Sequence, residues 1–301
     1  MVKKLIKQWP WLVALLSLSL LLTACGRTAT KEPMKTTGKI HFVTSLDFYG
    51  DPARAILGDA GTVTSLINSP SVDPHDYSPT TNDAKIVARA DLALMNGAGY
   101  DSWLAKLVKA DNEQTQLIDV AADIVKLPDG GNEHLWYDFS VMPQVTKLLV
   151  KRFSALRPAQ AATFKRNGQK YLARLAKLQE QEKELRQTLS GQKVMITEPV
   201  FNYVLTNLKM TIVNESFALD IEEGADPKPA DIQRMQDQLD HREVSCLVVN
   251  KQVTSALVTD LIKRAERHQV PILRVTETLP QGKNYLSWMT SQLQAFATIT
   301  K

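Results

Sequence analysis

Residues 158–189 read PAQAATFKRNGQKYLARLAKLQEQEKELRQTL. Leu172, Leu175, Leu178, Leu185 and Leu189 recur at spacings of three, four or seven, and Lys, Arg, Gln and Glu fill the other faces. That is the pattern of an amphipathic helix. Pro158 suits its start and Gly191 its stop. About 30 residues at 1.5 Å each make a rod on the order of 45 Å, long enough to run along two lobes and fix their separation. The stretch is under five heptads and is flanked by alternating strand and helix patterns, which argues against an isolated coiled coil.

On its N-terminal side, Ile40–Thr44, Thr62–Ile67, Leu92–Asn96 and Gln116–Asp119 read as strands, with amphipathic stretches at Asn82–Arg89 and Ser102–Ala110. On its C-terminal side, Lys193–Thr197, Met210–Val213, Cys246–Val249 and Pro271–Val275 read as strands. There Pro199–Asn207, Pro229–Leu239, Ser255–His268 and Asn284–Ala297 read as helices. The alternation predicts an α/β fold of two lobes, each a mainly parallel sheet flanked by helices, joined by one long rigid helix.

The N-terminus has a different character. Lys3, Lys4 and Lys7 precede an apolar run, Trp11–Leu22. A run of about a dozen residues is short for roughly 30 Å of hydrocarbon and suits a signal-peptide core. It ends in Leu22-Thr23-Ala24-Cys25-Gly26, which resembles the bacterial lipobox, with Cys25 as the lipidated residue. Arg27–Gly38, rich in Thr, Lys and Pro, reads as a tether. The expected organisation is a lipoprotein signal peptide (1–24), a lipidated tether (25–38), an N-terminal lobe (39–157), the linking helix (158–190) and a C-terminal lobe (191–301).

Composition excludes several classes. Of 301 residues, 44% are hydrophobic and 23% charged, as in a globular protein rather than a disordered or polytopic membrane one. Formal charge is +4, and the three leader lysines account for three of those charges. The remainder is nearly neutral and gives no footprint for nucleic acid. Two cysteines cannot build a disulfide framework, and Cys246 reads as a buried free thiol.

Open α/β sheets place ligands beyond the carboxyl ends of their strands. His75 follows the second strand, Glu198 the fifth and Glu277 the last, while Asn250 follows Cys246–Val249. His134 sits after the Gly130-Gly131 turn and before a helix. Imidazoles and carboxylates on such turns suit a divalent first-row ion. His41, His241 and His268 read as structural, one within a strand and two near helix ends. Asn96-Gly97-Ala98-Gly99-Tyr100 lacks the third glycine of a dinucleotide fingerprint and the P-loop Gly-Lys-Ser/Thr. The acidic run Asp220, Glu222, Glu223 and Asp226 lacks EF-hand spacing and reads as a solvated loop. Trp136, Tyr137 and Tyr203 read as core rather than as the wall of an organic-solute pocket.

Five motifs in one order carry a resemblance that runs from about Lys39 to the C-terminus. They are Asp73-Pro74-His75-Asp76-Tyr77-Ser78-Pro79-Thr80, Ala90-Asp91-Leu92 leading to Asn96–Tyr100, Asn132-Glu133-His134-Leu135-Trp136, Thr197-Glu198-Pro199-Val200-Phe201-Asn202-Tyr203 and Val275-Thr276-Glu277-Thr278-Leu279-Pro280. The sequence resembles the metal-binding lipoproteins that feed ABC transporters for zinc and manganese, the cluster 9 or A-I solute-binding proteins.

The resemblance implies two lobes bridged by one long helix, with the metal between them. His75 and His134 match the two N-lobe histidine ligands. Glu198 matches a third ligand, histidine in many zinc-type members and glutamate in manganese-type ones. Glu277 matches a fourth that is usually aspartate, and its extra methylene changes reach or denticity. Many members carry glutamate where this chain has Asn250, which is expected either to hydrogen-bond a ligand residue or to cap the next helix.

The implied function is capture of Mn²⁺ or Zn²⁺ at the extracytoplasmic face of the cell membrane and delivery to an ABC permease. The carrier would be a lipid-anchored monomer that is not an enzyme. Two carboxylates and the lack of a long His/Asp-rich loop lean toward manganese. The alternatives are an adhesin-type lipoprotein with incidental metal and a zinc hydrolase.

Overall fold

The structure is a computed structural model that describes residues 38–72, 74–110, 115–253 and 255–300. The expected leader, the lipidation residue Cys25 and nearly all of the expected tether lie outside the described residues, as does Asp73. Among the described residues no helix is long and apolar enough to cross a membrane.

The first half comprises β1 (Ile40–Leu46), α1 (Asp47–Leu57), β2 (Gly61–Ile67), α2 (Thr81–Val87), β3 (Leu92–Met95), α3 (Ser102–Ala110), β4 (Gln116–Asp119) and α4 (Val141–Leu156). A 3₁₀ turn, Pro158–Gln160, opens α5 (Ala161–Leu189). The second half comprises β5 (Lys193–Ile196), α6 (Asn202–Asn207), β6 (Thr211–Ile212), α7 (Glu215–Glu222), α8 (Pro229–Asp240), β7 (Leu247–Asn250), α9 (Ala256–Arg267), β8 (Ile272–Val275) and α10 (Tyr285–Ile299).

Both sheets are parallel and share one topology. The orders are β2-β1-β3-β4 and β6-β5-β7-β8. Each therefore has a topological switch point, between β1 and β3 and between β5 and β7, where loops diverge and leave room for a ligand. All eight expected strands form, displaced by at most two residues at an end.

Period two sorts the strand residues between cores. Phe42, Leu92, Leu94, Val194, Ile196 and Val248 face one continuous apolar cluster shared by both halves. Val43, Ala93 and Met95 face the outer layer of the first half, and Met195, Leu247 and Val249 that of the second.

The long helix forms as expected, 29 residues or about 44 Å. Phe164, Gly168, Tyr171, Leu175, Leu178, Glu182 and Leu189 are its buried stripe, with Leu172 and Leu185 partly buried against the same core. It packs on α1 and α4 of the first half and on α6 and α10 of the second. Gly168 permits the close approach to α4, since a Cβ there would lie 2.4 Å from Val150 Cγ2.

Two helices, α1 and α7, were not expected from the pattern, and α4 was expected only as a helix of unstated bounds after His134. Gly50 and Pro52 interrupt the helical reading of α1, yet tertiary packing buries Phe48, Tyr49, Ala53 and Ile56. The segment around Glu222 is a correction. Through Glu222 it is helix rather than solvated loop, because Phe217 and Ala218 are buried. Cys246 is buried and free, with burial pushing its thiol up to about 12.

Candidate metal centre

The loop after β3 brings the first half's contribution into place. Gly97, Ala98 and Gly99 have φ of 82°, 56° and 92°. The Asp101 carboxylate accepts the N–H groups of Asn96 and Gly97 at 2.7 and 2.9 Å. Those N–H groups are thus spent on the chain itself rather than on a phosphate, as the incomplete glycine motif implied. Gly97 is required, since a Cβ would sit 2.0 Å from Asp119 Oδ1. The loop delivers Tyr100, whose ring stands edge-on to His75 at 4.8 Å between centroids.

His134 is fully buried. Asn132 Oδ1 accepts its backbone N–H at 2.9 Å and lies 3.0 Å from its Nδ1. An amide oxygen only accepts, so Nδ1 carries the ring proton and the Nε2 lone pair is left for a ligand. Nε2 is buried with no hydrogen-bond partner and points to Glu277 Oε2 at 3.7 Å.

Glu277, at the end of β8, is the hub. Its Oε2 lies 3.4 Å from His75 Nε2 and accepts from Tyr100 Oη at 2.8 Å. Its Oε1 accepts from Asn250 Nδ2 at 2.7 Å. The same Asn250 nitrogen donates to Glu198 Oε2 at 2.6 Å, so one amide holds two carboxylates side by side. Asn250 is itself fixed at the end of β7, its N–H donating to Thr197 Oγ1 at 3.0 Å.

The two carboxylates differ in charge state. Burial pushes Glu277 up, but the two imidazoles beside it, His134 and His75, outweigh it and hold the group well below the carboxylate range. Burial pushes Glu198 up to about 7 despite Asn250, with the neighbouring Glu277 charge adding to the rise. His134 is raised: burial opposes its protonated form, but the Glu277 carboxylate beside it prevails.

Of the sequence candidates, His75, His134 and Glu277 bring one donor atom each within 4.8 Å of the others. Glu198 joins them through the amide of Asn250. Two carboxylates of the site were missed. Glu133 Oε1 lies 3.7 Å from His75 Nε2, and Glu222 Oε1 lies 3.7 Å from His134 Nδ1. Glu133 was legible as the neighbour of His134. Nothing separated Glu222 from the other acids of its run, because the tertiary position of α7 selects it. Burial, with Glu133 and Glu198 nearby, pushes Glu222 up to about 7 against the pull of His134. His41, His241 and His268 stay apart: His41 Nδ1 pairs with Thr62 Oγ1, and the other two cap α8 and α9.

Two imidazoles and an ionised carboxylate converging on one point can ligate a divalent transition metal. Comparisons with known proteins agree with that chemistry. The metal ABC transporter substrate-binding lipoprotein ScbA of Streptococcus cristatus is 26% identical over 313 residues, covering 97% of this chain and 98% of its own. The manganese-binding lipoprotein MntA of Halalkalibacterium halodurans is 24% identical, covering 80% and 81%. Among solved structures, the periplasmic zinc binding protein TroA from Treponema pallidum superposes with a TM-score of 0.72 at 18% identity, over 88% of this chain and 100% of that one. The family profile described as zinc-uptake complex component A, periplasmic, matches residues 42–299, and the chain belongs to that family.

Proposed function

We propose that this protein captures a divalent transition-metal ion, Mn²⁺ or Zn²⁺, between its two lobes and delivers it to the permease of an ABC transporter. It is a binding protein, not an enzyme. The observation that carries this reading is the meeting of His75 Nε2 and His134 Nε2 at Glu277 Oε2, 3.4 and 3.7 Å away. His75 and His134 supply nitrogen, Glu277 and Glu198 supply oxygen, and two carboxylates neutralise a divalent cation. Asn250 orients both carboxylates through the hydrogen bonds its amide donates to them. No observation favours the hydrolase or adhesin alternatives. A cavity of about 470 Å³ lies between α5 and α10, away from these residues, and its lining includes Gln181, Leu185 and Leu293.

The same reading covers the rest of the chain. Residues 1–24 are the signal peptide and 25–38 a tether lipidated at Cys25. Residues 39–157 and 191–301 are the lobes, joined by the helix at 158–190. The carrier is then a monomer held at the extracytoplasmic face of the membrane. Relatives named as lipoproteins support this.

Isothermal titration of Mn²⁺ and Zn²⁺ into His75→Ala, His134→Ala and Glu277→Gln tests the site. Affinity is expected to fall at least a hundredfold in each, and unchanged affinity in all three refutes it.

A further inference from the structure

Two groups of donor atoms share His75. His75, His134 and Glu277 form one, and His75, Glu133 and Glu222 the other, each with its ligand atoms within 4.8 Å of one another. Burial grades between them. His134 and Glu277 are buried, Glu133 and Glu222 are half-buried, and His75 is exposed. The nearest approach of His75 to both groups is by one atom, Nε2, 3.4 Å from Glu277 Oε2 and 3.7 Å from Glu133 Oε1. An imidazole nitrogen has one lone pair and ligates one ion at a time. Through that atom the two groups are alternatives, one toward solvent and one inside.

The outer group is electrostatically incomplete on its own. Glu222 is the last residue of α7, where the helix dipole favours a cation and disfavours a carboxylate. Glu133 brings a second carboxylate against it. Glu222 Oε1 is shielded from solvent without a hydrogen-bond partner, a costly state for such an oxygen. A carboxylate at the wrong helix end, beside another carboxylate and short of a donor, needs a positive charge.

We propose that His75, Glu133 and Glu222 form an outer, transient site for a partly hydrated divalent cation, from which the ion passes inward to His134 and Glu277 while His75 remains bound. The proposal rests on the capture reading above. The transfer is ligand exchange only: Glu133 and Glu222 leave the ion as His134 and Glu277 replace them and water is shed. Nothing is oxidised or reduced.

The test uses the full chain and Mn²⁺ alone. His134→Ala, its fold checked by circular dichroism, removes the inner site. It is expected to retain one weak Mn²⁺ site, seen by electron paramagnetic resonance with the nitrogen coupling of one imidazole. Adding Glu133→Gln and Glu222→Gln is expected to abolish that signal. Absence of a site in His134→Ala, or a signal that survives both substitutions, overturns the proposal. In an otherwise unaltered chain the same pair should slow Mn²⁺ association by about tenfold, followed as quenching of Trp136, whose ring is 5.2 Å from that of His134. An unchanged association rate also overturns it. Failure of the capture reading looks different: the unsubstituted protein then binds neither Mn²⁺ nor Zn²⁺, or His134→Ala binds them as tightly as it does.

Discussion

Tyr100 Oη donates to Glu277 Oε2 at 2.8 Å, joining the loop after β3 in one half to the loop after β8 in the other. Hydrogen bonds to a charged group contribute about 1.5–3 kcal/mol. The phenol also turns the carboxylate toward both imidazoles. Tyr100→Phe keeps the ring against His75 and removes only this bond. Titration calorimetry is expected to show Mn²⁺ affinity reduced about tenfold, and equal affinity would mean that Glu277 is oriented without it.

Asn250 sits between two buried carboxylates, 2.6 and 2.7 Å from their oxygens. A third carboxylate in its place would repel both. Asn250→Asp is therefore expected to lower the melting temperature of the ion-free protein by several degrees. The gain on adding Mn²⁺ should then exceed that of the unsubstituted chain, since an ion that binds only the folded state stabilises it. Scanning calorimetry with and without a chelator measures both quantities, and a smaller gain in the variant counts against the ion lying between these groups.

Glu182, in the C-terminal half of α5, is buried, and that burial pushes it from 4.5 up to about 7. Between those values the folded chain holds a proton that the unfolded chain has lost. This contribution to stability is complete below about 4.5 and disappears as pH rises to about 7. Glu182→Gln removes the titration. Denaturant unfolding should find the variant more stable than the parent at pH 8 and the difference much smaller at pH 5. A difference independent of pH would remove Glu182 from the account.

Gly168 lets α4 and α5 approach each other closely. A Cβ would meet Val150 Cγ2 at 2.4 Å. Gly168→Val forces the helices apart at a cost of about 1–3 kcal/mol, despite its lower backbone entropy when unfolded. Pairing it with Val150→Ala should recover most of the loss, which urea unfolding of the single and double variants would reveal.

Cys25 carries the anchoring proposal. Cys25→Ala should move the protein from the detergent phase to the aqueous phase on Triton X-114 partition of whole cells. The parent should show a mass increment for a diacylglyceryl group at residue 25. An unsubstituted chain found wholly in the aqueous phase would contradict lipidation.

Much of this architecture was readable along the chain. Strand periodicity needs only neighbours in sequence, so Leu92–Met95 and Gln116–Asp119 could be located from their own residues. The helix over Ala161–Leu189 announced itself through leucines three and four apart. His75, Glu198 and Glu277 could be singled out because a strand's end is a local event and parallel topology makes such ends converge, and His134 because it follows the Gly130-Gly131 turn. α1 was hidden by Gly50 and Pro52, whose unfavourable propensities are overridden by the burial of Phe48, Tyr49 and Ile56. Glu222 was hidden for another reason. Its role depends on the packing of Phe217 and Ala218, which turns one acid of four inward. The short reach from Glu277 to both imidazoles was likewise invisible, since it depends on where two loops meet.

One apolar cluster runs through both halves and α5. Phe48 of α1 stacks near Trp288 of α10, Tyr137 meets Phe201, and Tyr285 Oη donates to the Trp136 carbonyl at 2.7 Å. The protein is therefore two sheets by topology but not two interchangeable modules. A half expressed alone would leave α5 with one side bare. A chimera that borrows one lobe from a relative must also inherit the matching face of α5 and the aromatic partners across the seam. Here the unit that recombination can trade is the whole apolar body, not either sheet.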